Sequence, residues 1–244
     1  MKKVAIFALC AVALCACDKH DPILPGERQG IFATDNVRVL NTPVPDAPEN
    51  IAERESVDCP YTQDNQNTIW NGDKKIFAGF PTNNYVIGQK SPVCNDGFVF
   101  AGLSTGELVK VNPKNRQIAW IADVYRQSNL TGGASVLDII APIQIVGKYV
   151  YAGGLGGAFC KISVATGNAA WCTDIGVEYP FIIANNDVAY VLDIDNNLNA
   201  VRLRDGAVYW RSAVEKAATP KYENKTVIIG REKFNAETGK VVSD

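Results

Sequence analysis

From about Asn67 to the end, the chain repeats one order of apolar and polar positions. A proline opens each copy, at Pro92, Pro142, Pro180 and Pro220, giving intervals of 50, 38 and 40 residues. Behind each proline stands an alternating or wholly apolar run: FVFAG at 98–102, YVYAG at 149–153, VAYVL at 188–192 and TVIIG at 226–230. A further run follows a polar turn (ELVKVN, AFCKIS, LNAVRL), and another ends on Trp120, Trp171 or Trp210. Runs of this length, bounded by Gly, Asn and Asp, predict short strands.

The period decides how the strands are grouped. Four short strands with their turns take about 40 residues, the repeat length of propeller-type arrays. The expected fold is therefore all-β: a partial or small β-propeller of about four four-stranded antiparallel blades over residues 69–244, with a plain β-sandwich as the alternative. Proline suits the head of a first strand, which lies on a sheet edge. Thr166-Gly167, Asp205-Gly206 and Thr238-Gly239 supply hairpin turns, and each tryptophan is expected to fill the gap between neighbouring blades. The ends of the array are irregular. The last copy stops at Val241-Val242-Ser243-Asp244 without its tryptophan, while IWNGDKKIFAGF (69–80) carries Trp70 with no repeat before it. Either Ile69-Trp70 completes the last blade as its outer strand and closes a ring, or the edges stay open.

Ahead of the array the pattern differs. Residues 1–16 read as an exported leader, two lysines followed by an apolar run too short for a confident spanning helix. The run ends in Leu14-Cys15-Ala16-Cys17, which resembles a bacterial lipobox and makes Cys17 the expected site of lipid attachment, diacylglycerol and palmitate included. Residues 17–68 carry prolines at 22, 25, 43, 45, 48 and 60 with little periodicity, and are expected to be a disordered tether.

The order of apolar strand, glycine, strand and xxTGxxxW resembles the PQQ-type (quinoprotein-like) β-propeller repeat over residues 91–244. With the leader, lipobox and tether, and with the stretches 133–156 and 179–210, the chain also resembles the BamB family of outer-membrane assembly lipoproteins. The resemblance implies a periplasm-facing scaffold, lipid-anchored and without catalysis, that binds the barrel-inserting subunit and unfolded outer-membrane proteins. Its membrane is expected to be the outer one. Asp18, after the lipidated cysteine, leaves the inner membrane open. A repeat module that binds a small ligand or another envelope protein is the alternative. Members of the repeat class with a quinone cofactor use an adjacent Cys-Cys pair and a calcium ligand set, and this chain has no adjacent cysteines. No cofactor is expected.

Charge and chemistry narrow the picture further. A formal charge of -2, made more negative if Lys2 and Lys3 leave with the leader, offers nothing to phosphate backbones, so nucleic acid is not an expected partner. The single histidine, His20, lies in the tether, which removes triads and His-bound metal. Asp193-Ile194-Asp195-Asn196-Asn197 begins like a calcium loop but has Leu198 where glycine is required and Arg204 where a glutamate is, so it reads as a turn. AGGLGG (152–157) has no following helix and reads as a turn too. Cys160 and Cys172 flank the Thr166-Gly167 turn evenly, predicting a cross-strand disulfide, which leaves Cys59 with Cys94; buried free thiols are the alternative. The insertion Tyr125–Asp138 lengthens the first interval, and long loops are where repeat folds make contacts. Arg126 and Asp138 are its candidate partner-binding residues, Asp138 through the family resemblance.

Overall fold

The computed structural model describes residues 37–51, 58–86, 90–125, 136–185 and 187–242. The described residues form five antiparallel sheets in chain order. The first holds β1 (Thr62–Gln63), β2 (Thr68–Asn71) and β3 (Lys74–Ala78). The second holds β4 (Val93–Asn95), β5 (Phe98–Gly102), β6 (Glu107–Asn112) and β7 (Gln117–Asp123). The third holds β8 (Gln144–Val146), β9 (Tyr149–Gly154), β10 (Ala158–Ser163) and β11 (Ala169–Thr173), and the fourth β12 (Ile182–Ala184), β13 (Val188–Leu192), β14 (Asn197–Arg202) and β15 (Val208–Ala213). The fifth holds β16 (Lys221–Glu223), β17 (Thr226–Ile229) and β18 (Glu232–Asn235). Each four-stranded sheet is a simple meander, so every strand pairs with its chain neighbour.

The array thus has three four-stranded and two three-stranded sheets. The prolines sit one or two residues before β4, β8, β12 and β16, all edge strands that need no donor there. Middle sheets are covered on both faces, which is why VAYVL is buried throughout instead of alternating. Four apolar clusters join successive sheets: Ile69 and Phe77 meet Val99 and Leu103, Phe100 meets Val150 and Ile162, Phe159 meets Val191 and Val201, and Tyr190 meets Val227 and Phe234.

A repeated irregularity aims each tryptophan. The register between the third and fourth strands slips at Lys110/Val111, Lys161/Ile162 and Asn199/Val201, one bulge per four-stranded sheet. A bulge kinks the strand and redirects a side chain. Trp120, Trp171 and Trp210 then donate their indole N–H across the junction to Val164 O, Leu203 O and Ala236 O, at 3.0, 3.0 and 3.2 Å. Each carbonyl takes a second donor from the same sheet: Lys110 Nζ at 3.0 Å, Lys161 Nζ at 2.9 Å and the Tyr190 hydroxyl at 3.0 Å. The turn glycine of the receiving sheet lies under the ring. A Cβ at Gly167 or Gly206 would stand 2.7 or 2.8 Å from Trp120 or Trp171, and both residues have φ +75°, so glycine is required twice over.

Two expectations need correction. Ile69-Trp70 does not complete the last blade: Asp64 Oδ1 accepts the amides of Gln66 and Thr68, and this local turn folds β1 onto β2, with Trp70 opposite Thr62 and Ile69 opposite Phe77. In the fifth sheet Val241 bridges Phe234, so residue 241 stands where a fourth strand would. Nor is the expected tether free throughout. Residues 37–51 lie on the sheets as a strap: Val208 N donates to Arg38 O (2.9 Å), Leu40 N to Val208 O (2.8 Å), Val44 N to Glu237 O (2.7 Å) and Lys225 N to Glu49 O (2.9 Å). Val44 and Ala47 are buried in the cluster between the fourth and fifth sheets, and Val37 and Val39 pack on the one between the third and fourth. Proline suits such a segment because it lacks the N–H that an unladdered strap would leave unpaired.

Candidate partner-docking surface

On one end of the sheets lie the turns between second and third strands, Leu103–Gly106, Gly154–Gly157 and Asp193–Asn197. The described residues on either side of the insertion after β7, 124–125 and 136–139, lie against the first two. Val124 N donates to Gly106 O (2.8 Å), Ile139 N to Leu103 O (3.2 Å), and Leu155 N to Asp138 O (2.9 Å), so both feet are stitched to the sheets. The feet need bare backbone beneath them. A Cβ at Gly106 would meet Tyr125 at 2.8 Å and Leu137 at 3.0 Å, and one at Gly156 would meet Tyr125 at 2.6 Å. Burial, together with the nearby carboxylates of Asp123 and Glu107, pushes the Tyr125 hydroxyl above its ordinary pKa, so it stays neutral.

Asp138 is buried at the foot of the insertion. It is 0% exposed, its carboxylate faces the Lys90 ammonium, and its Oδ2 accepts the Val86 amide at 2.9 Å. Asp138 is followed by Ile139 in the core, and the connection crosses a polar spot where Lys90, from elsewhere in the chain, also bonds Ser104 Oγ. Ser104 N in turn donates to Asn67 Oδ1 (2.7 Å), and Asn67 Nδ2 donates to Phe80 O (2.8 Å). This chain of buried polar groups ties the insertion's foot to the first two sheets, where an unpaired charge would be strongly destabilising. Arg126 and Cys17 lie outside the described residues, as does the leader.

Next to this network the surface is apolar. Phe80 is 76% exposed, Ile118 49% and Ile121 45%, and with Phe77, Leu103 and Glu107 they line a groove of ≈ 270 Å³ between the first and second sheets. Thr105 Oγ1 donates to Glu107 Oε2 (2.6 Å) at its rim. Large apolar side chains grouped in the open mark contact surfaces. Sequence reading passed over them, although the signal was present: QIAWIAD puts isoleucines on either side of Trp120 where one inward face cannot take all three.

The other expected features fall into structural roles. Asp193 Oδ1 accepts Asp195 N (3.0 Å) and Asn197 N (2.7 Å), closing the turn between β13 and β14 as Asp64 closes the one between β1 and β2. The left-handed residue of each turn is an asparagine, Asn67 or Asn196. Residues 154–157 turn between β9 and β10. Cys160 is bonded to Cys172 across the β10–β11 pair, and Cys59 to Cys94 of β4. Among the described residues, no group of three or more His, Cys, Asp or Glu is placed to hold a metal ion.

Comparison with known proteins gives one family. The model of the outer membrane protein assembly factor BamB matches residues 32–212. BamB of Moranella endobia (strain PCIT) is 24% identical over 148 residues, 59% of this chain and 38% of that protein. The crystal structure of BamB from Moraxella catarrhalis superposes with TM-score 0.55 at 13% identity, over 85% of this chain and 65% of that one, and so shares the fold. The chain thus spans less than two-thirds of either relative. Quinohemoprotein alcohol dehydrogenase from Comamonas testosteroni gives TM-score 0.39 at 16% identity, over 50% of this chain and 20% of that one, too slight a likeness to carry a conclusion.

Proposed function

The chain belongs to the family of the outer membrane protein assembly factor BamB, and on that premise we propose that it is a non-catalytic scaffold in the assembly of outer-membrane β-barrel proteins. It faces the periplasm, is held by lipid at Cys17, and binds the barrel-inserting subunit of the assembly machinery. The observation that carries this reading is the family match over 32–212, most of the repeat array. The surface supports it: the exposed side chains of Phe80, Ile118 and Ile121 line an apolar groove of the kind that marks contact surfaces. The partner is assigned to the Phe80, Ile118 and Ile121 groove.

Affinity purification of the tagged full-length chain from detergent-solubilised envelopes tests this. The barrel-inserting subunit should co-purify, and Phe80→Asp should reduce its yield at least tenfold while leaving the fold intact. Purification free of that subunit, with the lipidated chain intact and abundant, contradicts the reading.

A further inference from the structure

On the end of the sheets away from the turns between second and third strands, the remaining turns form a row of equivalent clefts, one beneath each junction. The strap fills two of them. Beneath the fourth and fifth sheets Val44 and Ala47 are buried, and Pro48 O accepts from the Tyr222 hydroxyl (2.6 Å). Beneath the third and fourth, Val37 and Val39 pack on the same cluster as Val146 and Tyr149, while Arg38 between them is exposed. Here the strap also extends the sheet. Val39 pairs parallel with Val208 at the head of β15, and Val208 donates its N–H to Arg38 O (2.9 Å) and accepts the Leu40 N–H at its carbonyl (2.8 Å).

The cleft beneath the second and third sheets has the same parts. Ala169 at the head of β11 stands where Val208 stands in β15: each lies beside the bulge, opposite Ile162 or Val201. The residue before each accepts the same inward bond, Ser163 N to Asn168 O (2.9 Å) and Arg202 N to Ala207 O (2.7 Å). The N–H and C=O of Ala169 therefore point away from β10, as those of Val208 point away from β14. Among the described residues, no strand or bridge pairs with Ala169 on that side. Phe98, the first residue of β5, forms the wall that Tyr149, the first residue of β9, forms in the neighbouring cleft.

Two differences set what fits. Val208 and Tyr209 are buried, whereas their counterparts Ala169 and Ala170 are small and exposed, so the edge fills less of its own cleft and ≈ 670 Å³ lies between Phe98, Tyr149 and Ala165. Larger apolar side chains than the strap's valines suit that space. The charged groups on the walls are Lys110, Lys148 and Asp96, an excess of cations. Lys110 is committed to Val164 O (3.0 Å) and to the Phe98 ring, 4.1 Å from its centre, so the exposed Lys148 is the cation that meets an incoming carboxylate.

We propose that this cleft docks an extended segment of a partner polypeptide, paired parallel to β11 through Ala169, with two large apolar side chains separated by one residue and an acidic residue beside them. Addition to a sheet edge supplies affinity through the backbone, and the space for alternate side chains supplies the choice of sequence. The strap already makes this interface on the next sheet, with valines and without the carboxylate. The site is separate from the Phe80 groove and does not depend on it.

The test is fluorescence anisotropy of the full-length chain with a short fluorescein-labelled peptide, a Phe-Ser-Phe core followed by Asp in a Gly/Ser frame. Saturable binding is expected, at least tenfold weaker when both phenylalanines are replaced by serine and at least threefold weaker when the Asp is replaced by Lys. Ala169→Pro removes the outward N–H at the head of an edge strand, where proline is tolerated, and should weaken binding at least tenfold at an unchanged thermal midpoint. Ala170→Tyr, which installs the side chain that β15 carries at this place, should do the same by filling the cleft. With p-benzoylphenylalanine in place of Lys148, irradiation should link the chain to the peptide. Absence of binding, binding indifferent to the phenylalanines, or binding unchanged in either variant would overturn the proposal. So would links from position 148 to the chain's own segments or to a second copy in place of the peptide.

Discussion

The junction between the fourth and fifth sheets and the one between the second and third are built from the same parts, yet they are finished differently. In the first, Trp210 and the Tyr190 hydroxyl share Ala236 O, both rings are buried, and Val44 and Ala47 seal the underside. In the second, Trp120 and an ammonium group, Lys110, share Val164 O, the tryptophan is only half-buried, and the underside holds a cleft. The same clamp can therefore be closed by a neutral hydroxyl under cover or by a charge that keeps a route to water. What separates the two is the strap, and strap residues decide how much each junction contributes.

The largest difference is expected from removing the rings. Trp210→Ala should lower stability by about 3–5 kcal/mol, and Trp120→Ala by clearly less because its ring is already part-solvated, both read by denaturant unfolding. Equal losses would show that burial does not distinguish the junctions. Next comes the strap. Val44→Ala removes two buried carbons at about 0.8 kcal/mol each plus a cavity, so a loss of about 2 kcal/mol is expected, while Ala165→Gly at the exposed rim of the cleft should stay within about 0.5 kcal/mol.

Alkali should separate the junctions by sign. Burial raises Tyr190 well above its ordinary range and pushes Tyr222 up to about 12, so both stay neutral in the folded state after they would ionise in the unfolded chain. Their contribution is full below about pH 10 and is lost as pH rises toward 12. Lys110 runs the other way. Burial lowers its amine below the ordinary lysine value, against a smaller opposing effect of Asp96, so its penalty is present at neutral pH and fades as pH rises toward about 10.4. Tyr222→Phe should flatten the loss of stability between pH 10 and 12, and Lys110→Met should remove the smaller gain just below it. Titration of unfolding midpoints with both variants checks the two signs.

Much of the array was legible because its signals are local. Proline, glycine turn and tryptophan each answer to a backbone or packing need that recurs from sheet to sheet, so four prolines and three tryptophans reinforce one another. Two parts were not. The strap looks like tether in the sequence because proline count and polar residues outweigh Val37, Val39, Leu40, Val44 and Ala47, whose spacing follows the distance between junctions and not a strand or helix period. Asp138 is a docking candidate only through the family resemblance of its insertion. Its burial depends on Lys90 and Ser104, which reach it from other parts of the chain, and no local pattern reports such a pairing.

The strap is where the account stands most exposed, and amide hydrogen exchange of the full-length chain tests it most directly. Leu40 and Val44, whose amides donate to Val208 O and Glu237 O, should exchange as slowly as the neighbouring sheet strands, and Val208, whose amide donates to Arg38 O, should be protected with them. Exchange across residues 37–51 at the rate of an unstructured peptide, with β15 losing its protection at Val208, would contradict it.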